Sequence, residues 1–529
     1  MTTAAMTPHR PTGAAGQERF WRLVHAEWNK FRTVRGWVIA MIVAIGAIAV
    51  FVFAATSVSR SCGTPASSLS AARSGSTAVS VSTACPPPPA GPGGEPVQDD
   101  FYFAHQPLTG NGTITVQMTS LTGQVEVSQA PGGAPQLRPG MQPWSKAGII
   151  IKQSLSQGSA YAAMMVTGTH GVRMQWDYQT DTPGLTGSVS ATSPRWLRLV
   201  RDGSTITGYD SADGTHWTLV GSATVPGLTA TVQAGLFAAA PGNPNTGATF
   251  TATGAFRHIA LSWPGAGWTG TNVGGSGPNG VPLPGRLRQN AGTLAVTGSG
   301  DIAPLAGNLN VLSAQRALAG TFIGLIPLIV VGAMFITGEY RRGLIQVSLV
   351  ASPRRGRLLA AKAVVLGMVS FVTGLIAATL AVAVGTHRFA RTGIPVWPVP
   401  ALTEARLVVG TAALLAVAAV LALAIGTILR RSALAVTTAI VLIFVPYLLA
   451  TKQTPQAGPS AWVESLLRIT PAAAFSVQQA VPQFSQVTAI YTPTGGYYPL
   501  APWAGLAVEC AWAAAALALA YYLLRRRDA

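Results

Sequence analysis

The residues of this 529-residue chain best suited to chemistry form a charged run, Gly338-Glu339-Tyr340-Arg341-Arg342-Gly343, followed by Ser352-Pro353-Arg354-Arg355-Gly356-Arg357. A carboxylate beside guanidinium forks makes charge-assisted hydrogen bonds, which is docking chemistry rather than bond-breaking chemistry. Glu339 also has a second reading, a helix-end charge that pairs locally. Pro353 ends one helical segment before the next begins, giving a short rigid lever. Other chemistry is thin. No Gly-x-x-x-x-Gly-Lys-Ser/Thr phosphate loop occurs, and the chain has no Gly-Lys dipeptide, so it is expected to bind and hydrolyse no ATP itself. The seven histidines are scattered, without a His-x-x-x-His pair or a Cys/His cluster, and no metal site is expected. Calcium held by outer aspartates and carbonyls stays open, without support.

The charged run lies between two apolar stretches, in a chain with only 10% charged residues. A span needs about 20 apolar residues, and in lipid it must be helical because an isolated strand leaves backbone groups unpaired. Six stretches qualify, near 37–56, 316–337, 358–385, 405–429, 433–450 and 503–524. The first follows a long polar leader and reads as a retained anchor, not a cleaved signal. Of 35 Lys and Arg, 17 fall in 1–36, 338–362, 430–431 and 525–529, whereas 57–312 is nearly balanced. Positive charge near span ends is kept inside, so both termini and 338–357 are placed in the cytoplasm and 57–312 outside. Arg388 and Arg391, between the third and fourth spans, run against that rule. The net charge of +18 is therefore topological, facing anionic lipid and not nucleic acid. Glu509 is the one carboxylate deep in a span and should face protein or the interface.

Residues 1–16 are polar and expected to be disordered. Over 17–35, Phe20, Val24, Trp28 and Phe31 recur at helical spacing with Trp21 nearby, while Lys30 and Arg32 lie elsewhere. That pattern predicts an amphipathic helix in the membrane interface, with Glu27 among its charges. Residues 57–98 and 263–312 are rich in Ser, Pro and Gly and read as linkers. Between them, 99–262 carries short β-prone runs separated by Gly, Asp and Asn turns, which predicts an all-β sandwich. Glycosidase chemistry needs two carboxylates flanking one bond. The outer segment offers only Glu95 and Glu126 as glutamates, and Asp202-Gly203 and Asp213-Gly214 read as turns, so hydrolysis is not expected. Cys62 and Cys85 are expected to close a disulfide loop of about 24 residues in an oxidising compartment, the alternative being two free thiols.

The run Ala26-Glu27-Trp28-Asn29-Lys30-Phe31-Arg32, the six spans and the stretch Glu339, Tyr340, Arg341, Gly343, Ser352, Pro353, Arg354 and Lys362 resemble permease subunits of ATP-binding-cassette type-2 exporters. The resemblance covers about 1–56 and 313–529. It implies an interfacial elbow helix, a coupling loop at 338–357 and outer re-entrant helices near 460–500. It also implies a separate ATP-binding subunit carrying ATP, a second permease copy or paralogue, and a bacterial cytoplasmic membrane as the setting. The large insertion after the first span departs from the family pattern. Lys146-Ala147-Gly148-Ile149, Trp196-Leu197-Arg198-Leu199 and Tyr209-Asp210-Ser211 in that insertion look like a concanavalin-A-like lectin or glucanase sandwich, whose ligand, a glycan or another molecule, the residues leave unknown. The expected function is export of an apolar or amphiphilic substrate. The alternative is a membrane-anchored lectin-like adhesion or sensing protein without transport, and an ATPase encoded beside the chain separates the two.

Overall fold

The computed structural model describes residues 13–55, 87–127, 136–242, 249–275, 282–305, 311–341, 343, 355–391, 395–451, 461–487 and 496–526. Cys62, Cys85, Arg342, Pro353, Arg354 and most of 57–98 lie outside them. Among the described residues six helices are long and apolar enough to cross a membrane: Arg35–Phe53, Thr321–Arg341, Arg355–Phe389, Ala401–Leu429, Ser432–Ala450 and Pro502–Arg526. The first runs as one 21-residue helix, Arg35–Ala55, about 31 Å long, enough for the hydrocarbon core. The third span's helix, Arg355–Arg391, has 37 residues, about 55 Å at the usual rise, so it outreaches the bilayer. It absorbs Arg388 and Arg391, which the sequence placed in a loop. The Arg388 guanidinium rests 4.3 Å over the ring of Phe53 at the end of the first span.

Without a hydrophobic drive between helices in lipid, close packing does the joining. Gly320 and Gly324, one turn apart at the start of the second span, let the first span come close. A Cβ added at Gly324 would lie 2.5 Å from Cγ1 of Ile48, and Ala44 and Ile48 are fully buried.

Among the described residues the insertion holds two large antiparallel sheets and a two-stranded ribbon. One runs in the order Thr218–Thr224, Thr205–Ser211, Arg195–Asp202, Gly112–Val127, Thr251–Leu261, Thr293–Gly298, Arg286–Asn290, with Gln136–Pro139 added to Gly112–Val127. The other runs Thr269–Val273, Phe101–Thr109, Thr231–Ala239, Lys146–Lys152, Tyr161–Thr167, Val172–Trp176, Thr180–Pro183. Between them lies an apolar core that includes Ile114, Val116, Ile149, Met164, Leu197 and Leu236, so the region is sandwich-like. Its extent corrects the sequence reading. The described residues of 263–312, expected as a linker, contain four strands, because alternation such as that of Thr293–Gly298 buries every second residue despite the Gly and Pro around it.

The sandwich is fixed at its neck. Val97–Asp99, where the chain enters, pairs antiparallel with Ile302–Pro304, where it leaves. This ribbon covers a second core on the outer face of one sheet, built on Phe101, Phe103, Ile150, Tyr161 and Phe237. Two wholly buried lysines at the ends of Lys146–Lys152 pin the ribbon. Lys152 Nζ donates to Asp99 Oδ2 at 2.7 Å, where Tyr178 Oη also donates, and Lys146 Nζ lies 2.6 Å from Asp301 Oδ1. Burying charge is costly unless it is paired in this way. Burial and the neighbouring Asp99 push the Asp100 carboxyl up to about 7, and burial pushes Asp177 up to about 6.

A carboxyl raised on folding takes up a proton, so its contribution to stability is greatest below its ordinary value near 3.8 and is lost as pH rises through about 7. Resistance of the 97–304 region of the full-length protein to protease on heating is expected to fall between about pH 5 and about pH 8. Asp100→Asn should flatten that dependence, and an unchanged slope in the variant would contradict the assignment.

Candidate functional site

The elbow helix spans Gly13–Thr33 and breaks at Val34, after which the first span begins at Arg35. Thr33 Oγ1 donates back to the carbonyls of Asn29 and Lys30, an intrahelical bond that favours bending. The helix is turned differently from the sequence expectation. Its inner stripe carries Glu27 and Phe31, 1% and 3% exposed, while Trp28 and Trp21 face outward at 43% and 56%. The physical reason is what lies behind it: an aromatic pair, Trp37 and Phe335, that accepts Phe31, not Trp28, and makes a trio with it. The rings of Phe31, Trp37 and Phe335 pack with centroids 5.0 to 5.8 Å apart. Such pairs add about 0.5–1.5 kcal/mol each beyond area burial.

On this trio sits Lys362, fully buried, its Nζ 4.5 Å above the Phe335 ring. It donates to Glu27 Oε2 at 2.7 Å and to Glu339 Oε1 at 2.8 Å. Lys30 Nζ closes the figure, 2.9 Å from Glu27 Oε1 and 3.3 Å from Glu339 Oε1. Two acids and two bases thus alternate, joining the elbow helix, the second span and the third span. Burial pulls the Lys30 ammonium down, but Glu27 and Glu339 outweigh it and hold its pKa above the ordinary value.

Glu339, read as part of a loop offered to a partner, is on the last turn of the second span and faces inward, so the local pairing of the two readings is the one observed. Its Oε2 has no partner among the described residues. Tyr340 is covered by Arg430, whose guanidinium lies 5.1 Å over its ring. Arg430 itself caps the fourth span in a left-handed conformation. Arg341 is exposed. Gly343, at φ +67 with its N–H on the Tyr340 carbonyl, follows as the left-handed residue that ends such helices. Arg32 is exposed and makes no described contact with the ion-pair cluster.

At the opposite end of the spans, Ala461–Ile469 and the 3-10 helix Pro471–Gln478 pack on the helices. Gln478 Nε2 reaches Thr321 Oγ1 and Thr411 Oγ1, at 3.0 and 3.1 Å, at the second and fourth spans. Gln486 Nε2 donates to the carbonyls of Tyr178 and Gln179, and Ser485 Oγ to Asp181 Oδ2, tying this segment to the sandwich. Asp181 is half-buried with its carboxylate covered, yet bonds from Arg173, Gln175 and Ser485 hold its carboxyl below the usual value. Glu509 is buried within the sixth span with Oε2 unpartnered among the described residues. These contacts were invisible in the sequence, because Gln486 and Ser485 carry no spacing signal.

The family model for ABC-2 family transporter proteins matches residues 21–529. The chain belongs to that family. No curated protein matches it in sequence. Among solved structures it is similar to a functionally unknown protein from Saccharomyces cerevisiae, at 15% identity and TM-score 0.22, over 31% of this chain and 76% of that one. It is also similar to scytalido-glutamic peptidase with a peptide-based transition-state analogue (9% identity, TM-score 0.23, 38% and 98% covered). Sheep galectin-11 in complex with glycerol is a third (6%, 0.17, 30% and 96%). At those scores these likenesses carry no argument about this chain.

The cluster makes a direct prediction for this ABC-2 family member. Lys362→Met leaves two carboxylates with only the half-exposed Lys30 between them and should destabilise the protein by about 3 kcal/mol, read as a lower thermal transition in detergent. Adding Glu27→Gln and Glu339→Gln should restore most of the loss; a triple variant no more stable than Lys362→Met would contradict the pairing.

Proposed function

We propose that the chain is the permease subunit of an exporter, moving an apolar or amphiphilic substrate across the cytoplasmic membrane with energy from a separate ATP-binding subunit. One observation carries this reading. The ion-pair cluster binds the elbow helix to the second and third spans at the level where Arg341 leads into residues 342–354. A push on that segment by a partner would therefore move three helices together. The docking role passes from Glu339 to Arg341 and the residues after it, including Arg342, Pro353 and Arg354. A second copy or a paralogue completes the pathway, and the termini lie inside.

The sandwich is then extracellular and of concanavalin-like kind. Its ligand face is the outer side of the sheet containing Arg195–Asp202, where half-buried Trp196, Arg198, Tyr209 and Thr115 alternate with core residues. Arg198 lies 3.7 Å over the Trp217 ring and donates to Thr115 Oγ1. Flat aromatic surface beside fixed polar groups suits a glycan or another polar ligand near the exit.

Gentle purification from the native membrane is expected to bring an ATP-binding subunit with the chain. Arg341→Glu should reduce the amount recovered by about tenfold, equivalent to about 1.4 kcal/mol, without changing the chain's own thermal transition. Wild-type chain that never carries an ATPase would overturn the proposal.

A further inference from the structure

A cavity of about 580 Å³ lies where the neck of the sandwich meets the starts of the fourth and sixth spans. Two groups of opposite charge line it, Glu95 from the neck and Arg406 from the fourth span. Glu95 is fully buried, and neither of its carboxylate oxygens has a partner among the described residues. The turn before it closes on that carboxylate. A Cβ added at Gly91 would lie 2.5 Å from Oε1, and one at Gly93 2.6 Å from Oε2. The N–H groups of Gly91 and Gly94 bond the carbonyls of Glu95 and Gly91, so the turn spends them on itself. Arg406 donates from Nη2 to the Gln479 carbonyl, while its buried Nε has no partner among the described residues. The nearest stretches of chain outside the described residues are 74–86, 306–310, 392–394 and 488–495. They contain no Lys, Arg, Asp or Glu.

We infer that this cavity binds a small zwitterion of the phosphoethanolamine kind, its primary ammonium on the Glu95 carboxylate and its phosphate on Arg406. A buried carboxylate with both oxygens open is costly, and an ammonium with three N–H donors satisfies both. A quaternary ammonium has no N–H to give. A guanidinium fork suits phosphate oxygens at the other end. Burial, and then the charge of Glu95, push the nearby Asp177 carboxyl up to about 6, so the acidic end carries a second carboxyl. A bare cation fits less well. Hard cations take six or more oxygens, whereas much of the wall is apolar, with Trp397, Val399 and Val481, and Trp397 is packed on Phe484 at 5.7 Å. The cavity opens at the ends of spans, at headgroup depth, so a lipid headgroup and a free zwitterion can both reach it. Neither transport nor ATP coupling is needed for such binding.

The test uses the full-length protein and two probes. O-phosphoethanolamine is titrated calorimetrically into protein in neutral detergent. Native mass spectrometry then follows protein from phosphatidylcholine vesicles that hold phosphatidylethanolamine as the minor lipid. Binding of the soluble probe alone assigns a free ligand, and selective retention of phosphatidylethanolamine alone assigns a lipid; each supports the site. Glu95→Gln and Arg406→Gln should each weaken binding by about tenfold, the loss of one charge-assisted hydrogen bond. The thermal transition of Glu95→Gln should be no lower than that of wild type. Thr403→Trp, which fills the cavity and leaves both charges, should abolish binding. Glu404→Gln, exposed on the same helix and outside the cavity, should leave it unchanged. Neither probe bound by wild type would overturn the site, as would Glu95→Gln binding as tightly as wild type. Inorganic phosphate or ethanolamine binding as tightly as phosphoethanolamine would do the same, since one charged end would then be idle.

Discussion

Lys362 sets the constraint on which the helical half depends. An ammonium with no exposure inside an apolar bundle is tolerable only if carboxylates meet it with good geometry. Glu27 and Glu339 do so at 2.7 and 2.8 Å, and Lys30 balances the second acid. The net energy of such a cluster is modest, because desolvation offsets attraction. Its effect is on register. Sliding the elbow helix by one residue would carry Glu27 off the lysine and Phe31 off the Trp37–Phe335 pair. The cluster therefore fixes the register of the three helices against one another.

The same device recurs in the insertion. Lys146 and Lys152, buried at the two ends of one strand, meet Asp301 and Asp99 on the ribbon where the chain enters and leaves. The strands that join the sandwich to the spans are thereby part of its fold, and Gln486 and Ser485 hold its face to the segment before the sixth span. The sandwich is seated on the helices, not tethered loosely above them.

The spans were legible because lipid imposes a length and a helix on any crossing segment. The third was read too short, since Thr386–Arg391 turns polar while the helix continues. The sheets were legible as β structure, but Gly and Pro hid the strands after 263, whose alternation is visible only over five or six residues. The site was half legible. Glu27, Lys30, Glu339 and Lys362 were all singled out, yet Glu27 and Lys362 are 335 residues apart, and no spacing rule joins such positions. A hint existed: Lys362 stands just inside an apolar run, where an unpaired charge would be costly.

The most direct measurement is the distance between spin labels on the elbow helix and the third span, at His25→Cys and Val364→Cys, in a chain otherwise without cysteine and assembled with its ATPase. Both positions are exposed. The account predicts one narrow distance, unchanged between nucleotide-free and ATP-bound states, that broadens when Lys362→Met is added. A distance that shifts with nucleotide in the otherwise native chain would show that the elbow and the third span move independently, and would contradict it.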